Sequence, residues 1–293
     1  MKFSGLVLST LLFIVACGPR ALEPDAAADC SNCESWNQPQ EPFRIYGNTW
    51  YVGTAGLSSI LIETDEGLIL IDGGLTQSAA LIESNIRNAG FDPLTIKAIL
   101  VSHAHYDHAG GVAALQRLTR GTVYTSVDGA KVLLSGELKG DDPQFLFGPE
   151  HTGFPAIKNV VAVGNREVVS IGGVDVTAVY TPGHTPGSTT WTWESCALDQ
   201  CYDVVYADSL TAVSAAGFRY SDGPAANQLI ESAGTIAALD CDILLSPHPY
   251  FFGMQDKLEI RGEGNPFVNN VACMIYAETA LDWLQQRLQA EGH

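Results

Sequence analysis

The sequence predicts an α/β fold in which two sheets pack face to face with helices outside. Three observations lead there. Short β-branched and aromatic runs alternate with stretches of helical period. The alternation occurs in two strand-rich halves, separated by an aperiodic stretch rich in Gly, Asp, Pro and Phe from Gly136 to Pro155. Each half also delivers a histidine-bearing loop directly after a strand.

In order, strands are predicted near Phe43–Tyr46 and Thr49–Val52 around a Gly47-Asn48 turn, then at Ser58–Glu63 and Leu68–Asp72 around Asp65-Glu66-Gly67. Gln77 to Asn88 reads as an amphipathic helix, with Ala80, Leu81, Ile82 and Ile86 apolar and Gly90 just past its end. Ile96–Val101 is a buried strand. A helix from about Gly111 to Arg120 leads to a strand at Thr122–Thr125, and the alternation continues through Val127–Ser135. The second half has strands near Val160–Val163, Glu167–Ile171, Val174–Tyr180, Ser188–Trp193 and Val204–Ala207. A helix at Gln228–Leu239, a strand at Ile243–Leu245 and a long terminal helix from Pro266 to Gln289 follow. Trp191 and Trp193 alternate along one strand face and read as core.

The 293 residues, 46% hydrophobic, suffice for one large domain with a sizeable core. A formal charge of −18 argues against nucleic acid or an anionic membrane surface as a partner. Lys2 precedes an apolar run from Leu6 to Ala16, too short to span a bilayer, so residues 1–16 read as a signal peptide. Ile14-Val15-Ala16-Cys17 resembles a bacterial lipobox, which implies cleavage before Cys17 and lipidation of its thiol. An ordinary secretory signal cut nearby is the alternative. Gly18, not Asp, then points to the outer membrane, with the protein facing the periplasm. Residues 17–42 read as a tether and 43–293 as the domain.

Setting Cys17 aside from the seven cysteines leaves an even number, as disulfides in an oxidising compartment require. Cys196 and Cys201 flank a short loop and are expected to pair. Cys241 with Cys273 would staple the terminal helix to the sheet. Cys30-x-x-Cys33 reads as a local disulfide, with a redox pair as the alternative.

The chemistry concentrates in His103-Ala104-His105-Tyr106-Asp107-His108, which holds three of the chain's seven histidines just past a strand. Imidazoles and a carboxylate suit zinc, and so many ligands in one loop suggest more than one ion. His184 in Pro182-Gly183-His184-Thr185-Pro186-Gly187, and His248 in Ser246-Pro247-His248-Pro249, stand in the same setting and are the further candidate ligands. His151 and His293 do not, and read as incidental.

These motifs, in this order and strand context, resemble the metallo-β-lactamase superfamily over roughly residues 43 to 290. Leu68-Ile69-Leu70-Ile71-Asp72-Gly73 fits its early strand. The resemblance implies an αββα sandwich with the metal site at one edge of the sheets. Asn48-Thr49-Trp50-Tyr51-Val52-Gly53-Thr54, Val205-Tyr206-Ala207-Asp208-Ser209-Leu210, the stretch from Asp240 to Pro249 and the Cys241/Cys273 pair resemble class B, subclass 3. The implied function is zinc-dependent hydrolysis of the β-lactam amide of penicillins, cephalosporins and carbapenems, conferring antibiotic resistance, by a monomer acting on a small-molecule substrate. Two zinc ions are implied, one on His103, His105 and His184 and the other on Asp107, His108 and His248. Ser209 stands where other subclasses place a cysteine ligand. Ala55 replaces a cysteine that some relatives pair with a thiol resembling Cys30, which leaves Cys33 as the substitute partner.

Two zincs roughly 3.5–4 Å apart can bridge one hydroxide for attack on the lactam carbonyl. Asp107 is expected to orient it and to relay a proton, or else to be a ligand only. Ser209 and Thr211 are candidates for holding the substrate carboxylate, against a reading as turn hydroxyls. Gln144, Phe145 and Phe147 either line the cleft or pack within their loop. Asp72 is expected to brace the first ligand loop. The alternative enzyme is a thioester or lactone hydrolase of the glyoxalase II or lactonase kind, in which Asp208 would bridge both metals. A non-catalytic zinc-binding lipoprotein is a further alternative.

Overall fold

A computed structural model of the chain describes residues 20–260 and 264–292. The expected signal peptide, Cys17 and His293 lie outside the described residues.

Among the described residues, twelve strands form two sheets. The first runs β1 (Phe43–Tyr46), β2 (Thr49–Tyr51), β3 (Ile60–Thr64), β4 (Gly67–Ile71), β5 (Ile96–Leu100), β6 (Thr122–Ser126) and β7 (Val160–Val163), side by side in chain order. Its first four strands are antiparallel hairpins, whereas β4 through β7 are parallel. Parallel neighbours need crossovers, and the helices Ser78–Asn88, Val112–Thr119 and Val127–Ser135 supply them. The second sheet has the order β12 (Ile243–Leu245), β11 (Gln200–Tyr206), β10 (Thr189–Ala197), β9 (Val174–Tyr180), β8 (Val168–Ile171). Only β11 and β12 are parallel there, with the helix Ala225–Ala237 between them.

The alternation of side chains along the first sheet fills two cores. Ile60, Ile62, Ile69, Ile71, Ala98 and Leu100 point to the second sheet and pack with Trp191, Trp193 and Val204. Leu61, Leu68, Leu70 and Ile99 point the other way, under the three crossover helices. Both tryptophans are core, as expected. The result is an αββα sandwich.

Four local expectations shift. The hairpin of β10 and β11 is longer than predicted, because the pairing of Cys196 with Cys201 across it continues the ladder. The second-half helix starts at Ala225, three residues before Gln228. The stretch from Gly136 to Pro155 carries a 3₁₀ turn at Phe145–Phe147 and a single turn at Pro149–Thr152. The terminal helix begins at Ala272, not Pro266. Asn269 N–H donates to Asp242 O (2.7 Å) and Val268 bridges Ile243, so the sheet edge claims the backbone that would have begun the helix.

The part of the expected tether that is described lies on the domain rather than standing off from it. Arg20 Nη1 donates to Leu118 O (3.0 Å), Arg117 pairs with Asp25 (2.9 Å), and Ala28 N–H donates to Thr76 Oγ1 (2.9 Å). A single turn, Cys33–Trp36, then places Trp36 against Tyr106 and His248, at ring-centroid distances of 6.5 and 5.3 Å. All six remaining cysteines sit at bonding distance in the three expected pairs, with Sγ–Sγ separations of 2.14 Å (Cys30/Cys33), 2.01 Å (Cys196/Cys201) and 2.01 Å (Cys241/Cys273).

Candidate metal centre

The site is assembled from loops that leave the C-terminal ends of β4, β5, β9, β11 and β12. After β5 the chain turns through Ser102 to His105 and enters the short helix Tyr106–Ala109, which carries Asp107 and His108. Gly111 closes the motif because the backbone of Gly73 lies directly against it. A Cβ there would fall 2.2 Å from Gly73 O.

Asp72 holds this loop as predicted. It has φ = 59°, and its fully buried carboxylate accepts from Ser102 N–H (2.8 Å), Ser102 Oγ–H (2.6 Å) and Tyr206 O–H (2.8 Å). Burial pushes its pKa up to about 6, against the opposing pull of His108 and these donors.

Five of the six expected ligands form two groups that share His103. His103, His105 and His184 are one, and His103, Asp107 and His108 the other, with candidate donor atoms all within 4.8 Å of one another in each group. The rings of the first trio are nearly equidistant, with centroids 4.8, 4.8 and 4.9 Å apart. His248 joins the second group at its margin. Its Nε2 is 3.5 Å from Asp107 Oδ2, and its ring centroid is 4.9 Å from that of His108. His108 Nε2 approaches the same Oδ2 at 3.2 Å.

The outer ring nitrogens are engaged behind the cluster. His103 Nδ1 lies 2.7 Å from Asp208 Oδ1. His184 Nδ1 lies 2.9 Å from Thr211 O and 3.1 Å from its hydroxyl, and His248 Nδ1 lies 3.3 Å from Gly56 O. His105 is reversed: its Nε2 faces Asp142, 3.2 and 3.3 Å from the two carboxylate oxygens. A carbonyl only accepts, so the proton of His184 and of His248 is on Nδ1. The nitrogens left for the interior are therefore Nε2 on His103, His184 and His248, and Nδ1 on His105.

The electrostatics suit a cation. Burial first, then His108 and His105, hold the His103 pKa well below its ordinary value. Burial with His103 and His105 takes His184 down to about 3, and burial with His108 takes His248 down to about 4. Burial alone would raise Asp107, yet His108 and His248 bring it well below the carboxylate range. His103, His184 and His248 are thus neutral imidazoles beside an anion, the form in which these side chains ligate metal, while Asp107 raises the His108 pKa against its burial. Among the described residues, His103 Nε2 and His108 Nδ1 are buried without a hydrogen-bond partner, and His108 Nε2 meets the Asp107 carboxylate. Buried ring nitrogens left without a hydrogen-bond partner in a pocket of this composition fit divalent ions.

Other expected site residues divide. Ser209 is buried, and its Oγ has no hydrogen-bond partner among the described residues. The Thr211 hydroxyl lies on the outer nitrogen of His184 rather than facing the interior. Gln144 is half-buried, and its backbone N–H donates to Asp142 Oδ1 (2.8 Å). Phe145 and Phe147 stand exposed, not packed into their loop. Asp208 faces the outside of the His103 ring, and burial raises its pKa against the pull of His184. Sequence reasoning missed Asp142 and Trp36. In Gly140-Asp141-Asp142-Pro143, nothing local distinguishes the buried carboxylate from its exposed neighbour Asp141.

An αββα sandwich with a buried imidazole cluster at one edge of its sheets defines a metal-centre protein of the two-sheet type. The chain belongs to the metallo-β-lactamase superfamily, whose family model matches residues 53–248. Its solved neighbours include MEM-A1, a subclass B3 metallo-β-lactamase from a soil metagenome library, 45% identical over 88% of this chain and 98% of that one, with a TM-score of 0.84. They also include the Rm3 metallo-β-lactamase, 42% identical over 90% of this chain and 100% of that one, with a TM-score of 0.87. Among curated proteins, the probable metallo-hydrolase YqgX of Bacillus subtilis (strain 168) is 31% identical over 146 residues, 50% of this chain and 64% of that protein. The chain thus spans less than two-thirds of the length of the curated relatives it matches.

Proposed function

We propose that the chain is a dizinc β-lactamase of subclass B3 type, hydrolysing the lactam amide of penicillins, cephalosporins and carbapenems. The observation that carries the reading is the sorting of ring nitrogens, in which four histidines each present one free nitrogen toward a shared interior beside Asp107. His103, His105 and His184 would hold one ion, and Asp107, His108 and His248 the other. Similarity to subclass B3 enzymes along nearly their whole length supports the β-lactam substrate.

When bound, the ions lower the pKa of water and polarise a carbonyl. The chain's own residues do the rest. Asp107 is kept anionic by His108 and His248, so it can accept a hydrogen bond from the attacking water and orient it. The proton released as oxygen bonds to the carbonyl carbon passes by way of Asp107 to the amide nitrogen as the C–N bond breaks. Ser209 Oγ, buried and unpartnered, is free to donate to the substrate carboxylate. Thr211 instead steadies His184, and Gln144 stands on the loop beside Asp142 where it can meet a substrate side group.

A thioester or lactone hydrolase with Asp208 bridging both ions is not favoured, because Asp208 Oδ1 is engaged at 2.7 Å behind His103. Export to the periplasm, a lipid anchor on Cys17, three disulfides and a monomeric state belong to the same proposal, and the even cysteine count supports the oxidising compartment. The test is turnover of a carbapenem and a cephalosporin by the purified mature domain, before and after chelation and on zinc readdition. Zinc-dependent opening of either ring is expected; turnover of neither would sink the assignment.

A further inference from the structure

Asp142 lies on none of the strand-end loops that supply the other outer partners. It sits on the long loop between the helix Val127–Ser135 and β7. That loop also exposes Phe145, Leu146 and Phe147. Yet Asp142 is buried, and both its oxygens face His105 Nε2, at 3.2 and 3.3 Å. Its place is fixed from both sides. Asp142 N–H donates to Lys139 O (2.9 Å), Gln144 N–H donates to its Oδ1 (2.8 Å), and the next residue, Pro143, accepts at O from Ala215 N–H (3.0 Å). A carboxylate flanked by these donors accepts, so the proton of the contact is on His105 Nε2.

We propose that Asp142 is a positioning residue of the metal centre. By accepting the Nε2 proton of His105 it fixes the tautomer that turns Nδ1 inward, and it makes the exposed aromatic loop mechanically part of the centre. His105 is the one ring of the four engaged through Nε2, and among the described residues Asp142 is the partner that selects between its two tautomers. The neighbouring charge also raises the basicity of Nδ1. Loading of the three-histidine site must then order the loop, and disturbing the loop must loosen the site. This rests on the reading that the cluster holds metal.

The test compares wild type, Asp142→Ala, Asp142→Asn and Glu150→Ala, a substitution on the exposed end of the same loop, each titrated with zinc against a competing chelator. Asp142→Ala is expected to weaken one of the two zincs about 10- to 100-fold. Asp142→Asn keeps an acceptor without the charge and should fall between Asp142→Ala and wild type, while Glu150→Ala should match wild type. Hydrogen exchange supplies a second readout. Zinc should protect amides near 140–148 in wild type and Glu150→Ala, but not in Asp142→Ala. If Asp142→Ala does not fold, by circular dichroism, Asp142→Asn carries the comparison. Zinc retention and loop protection equal to wild type in the Asp142 variants would overturn the proposal while leaving the β-lactamase reading intact. A wild type that binds no zinc would end both.

Discussion

In the His103, His105 and His184 half of the cluster, every ring has its outer nitrogen engaged, by Asp208, Asp142 and the Thr211 carbonyl at 2.7 to 3.2 Å. In the Asp107, His108 and His248 half, among the described residues His248 alone has such a partner, the Gly56 carbonyl at 3.3 Å; His108 Nδ1 has none, and its Nε2 meets Asp107 at 3.2 Å. The first half is organised by the protein before any ligand arrives. The second is held mainly by the mutual attraction of Asp107 with His108 and His248. Preorganised donors bind without the loss of side-chain freedom that looser ones incur. The three-histidine half should therefore load first as zinc is raised.

The largest test of that comparison removes one ring from each half. His184→Ala should reduce turnover by more than the about 100-fold that loss of an outer partner costs, with at most one weak zinc left. His248→Ala should lower stoichiometry from two to one and leave that one tight. Two tight zincs in His248→Ala, counted by mass spectrometry of the native protein, would show that this ring is misassigned.

A second test reaches the brace both halves share. Asp72→Ala strands Ser102 N–H, Ser102 O–H and Tyr206 O–H in the interior. At roughly 1 kcal/mol for each stranded donor, unfolding free energy should fall by about 3 kcal/mol. Urea denaturation measures it, and a change under about 0.5 kcal/mol, the range of an ordinary surface substitution, would refute the brace.

The smallest expected effect is on pH. His184 at about 3 and His248 at about 4 lie below the 6.5 of an unfolded histidine, so between those values the unfolded chain binds more protons. Their stabilising contribution in metal-free protein is complete above pH 6.5 and is lost as pH falls through about 4 and 3. Asp72, raised from 3.8 to about 6, acts oppositely over that narrower window. Asp208 is raised as well and opposes in the same sense as Asp72, and His108, raised by Asp107, acts only above pH 6.5; with His103 also depressed, three histidines outnumber two carboxyls between pH 6.5 and 4. The thermal midpoint of the chelated protein should drop from pH 6.5 towards pH 4; a flat or rising profile would contradict the buried neutral rings.

Much of the site was legible because ligand-type residues are rare and stood just past β-branched runs. The sequence placed His103 to His108, His184 and His248 on strand-end loops, and named Asp72 as the brace. It failed where a long-range contact overrode a local signal. Pro266 looked like a helix start until the sheet edge took Val268 and Asn269. The polar, Ala- and Pro-rich segment before residue 43 looked like a spacer, but its anchors are Leu118, Thr76 and Arg117, far off in the chain.

The sequence by itself determined the two-half αββα layout, the identity of the ligand-type side chains and the cysteine arithmetic, since each is carried by local period or composition. Only the tertiary structure decided which nitrogen of each histidine faces inward. That choice belongs to Asp142, Asp208, Thr211 and Gly56, partners 37, 105, 27 and 192 residues distant. A ring's tautomer is set by what lies behind it, and no local pattern encodes a neighbour that folding brings from so far away.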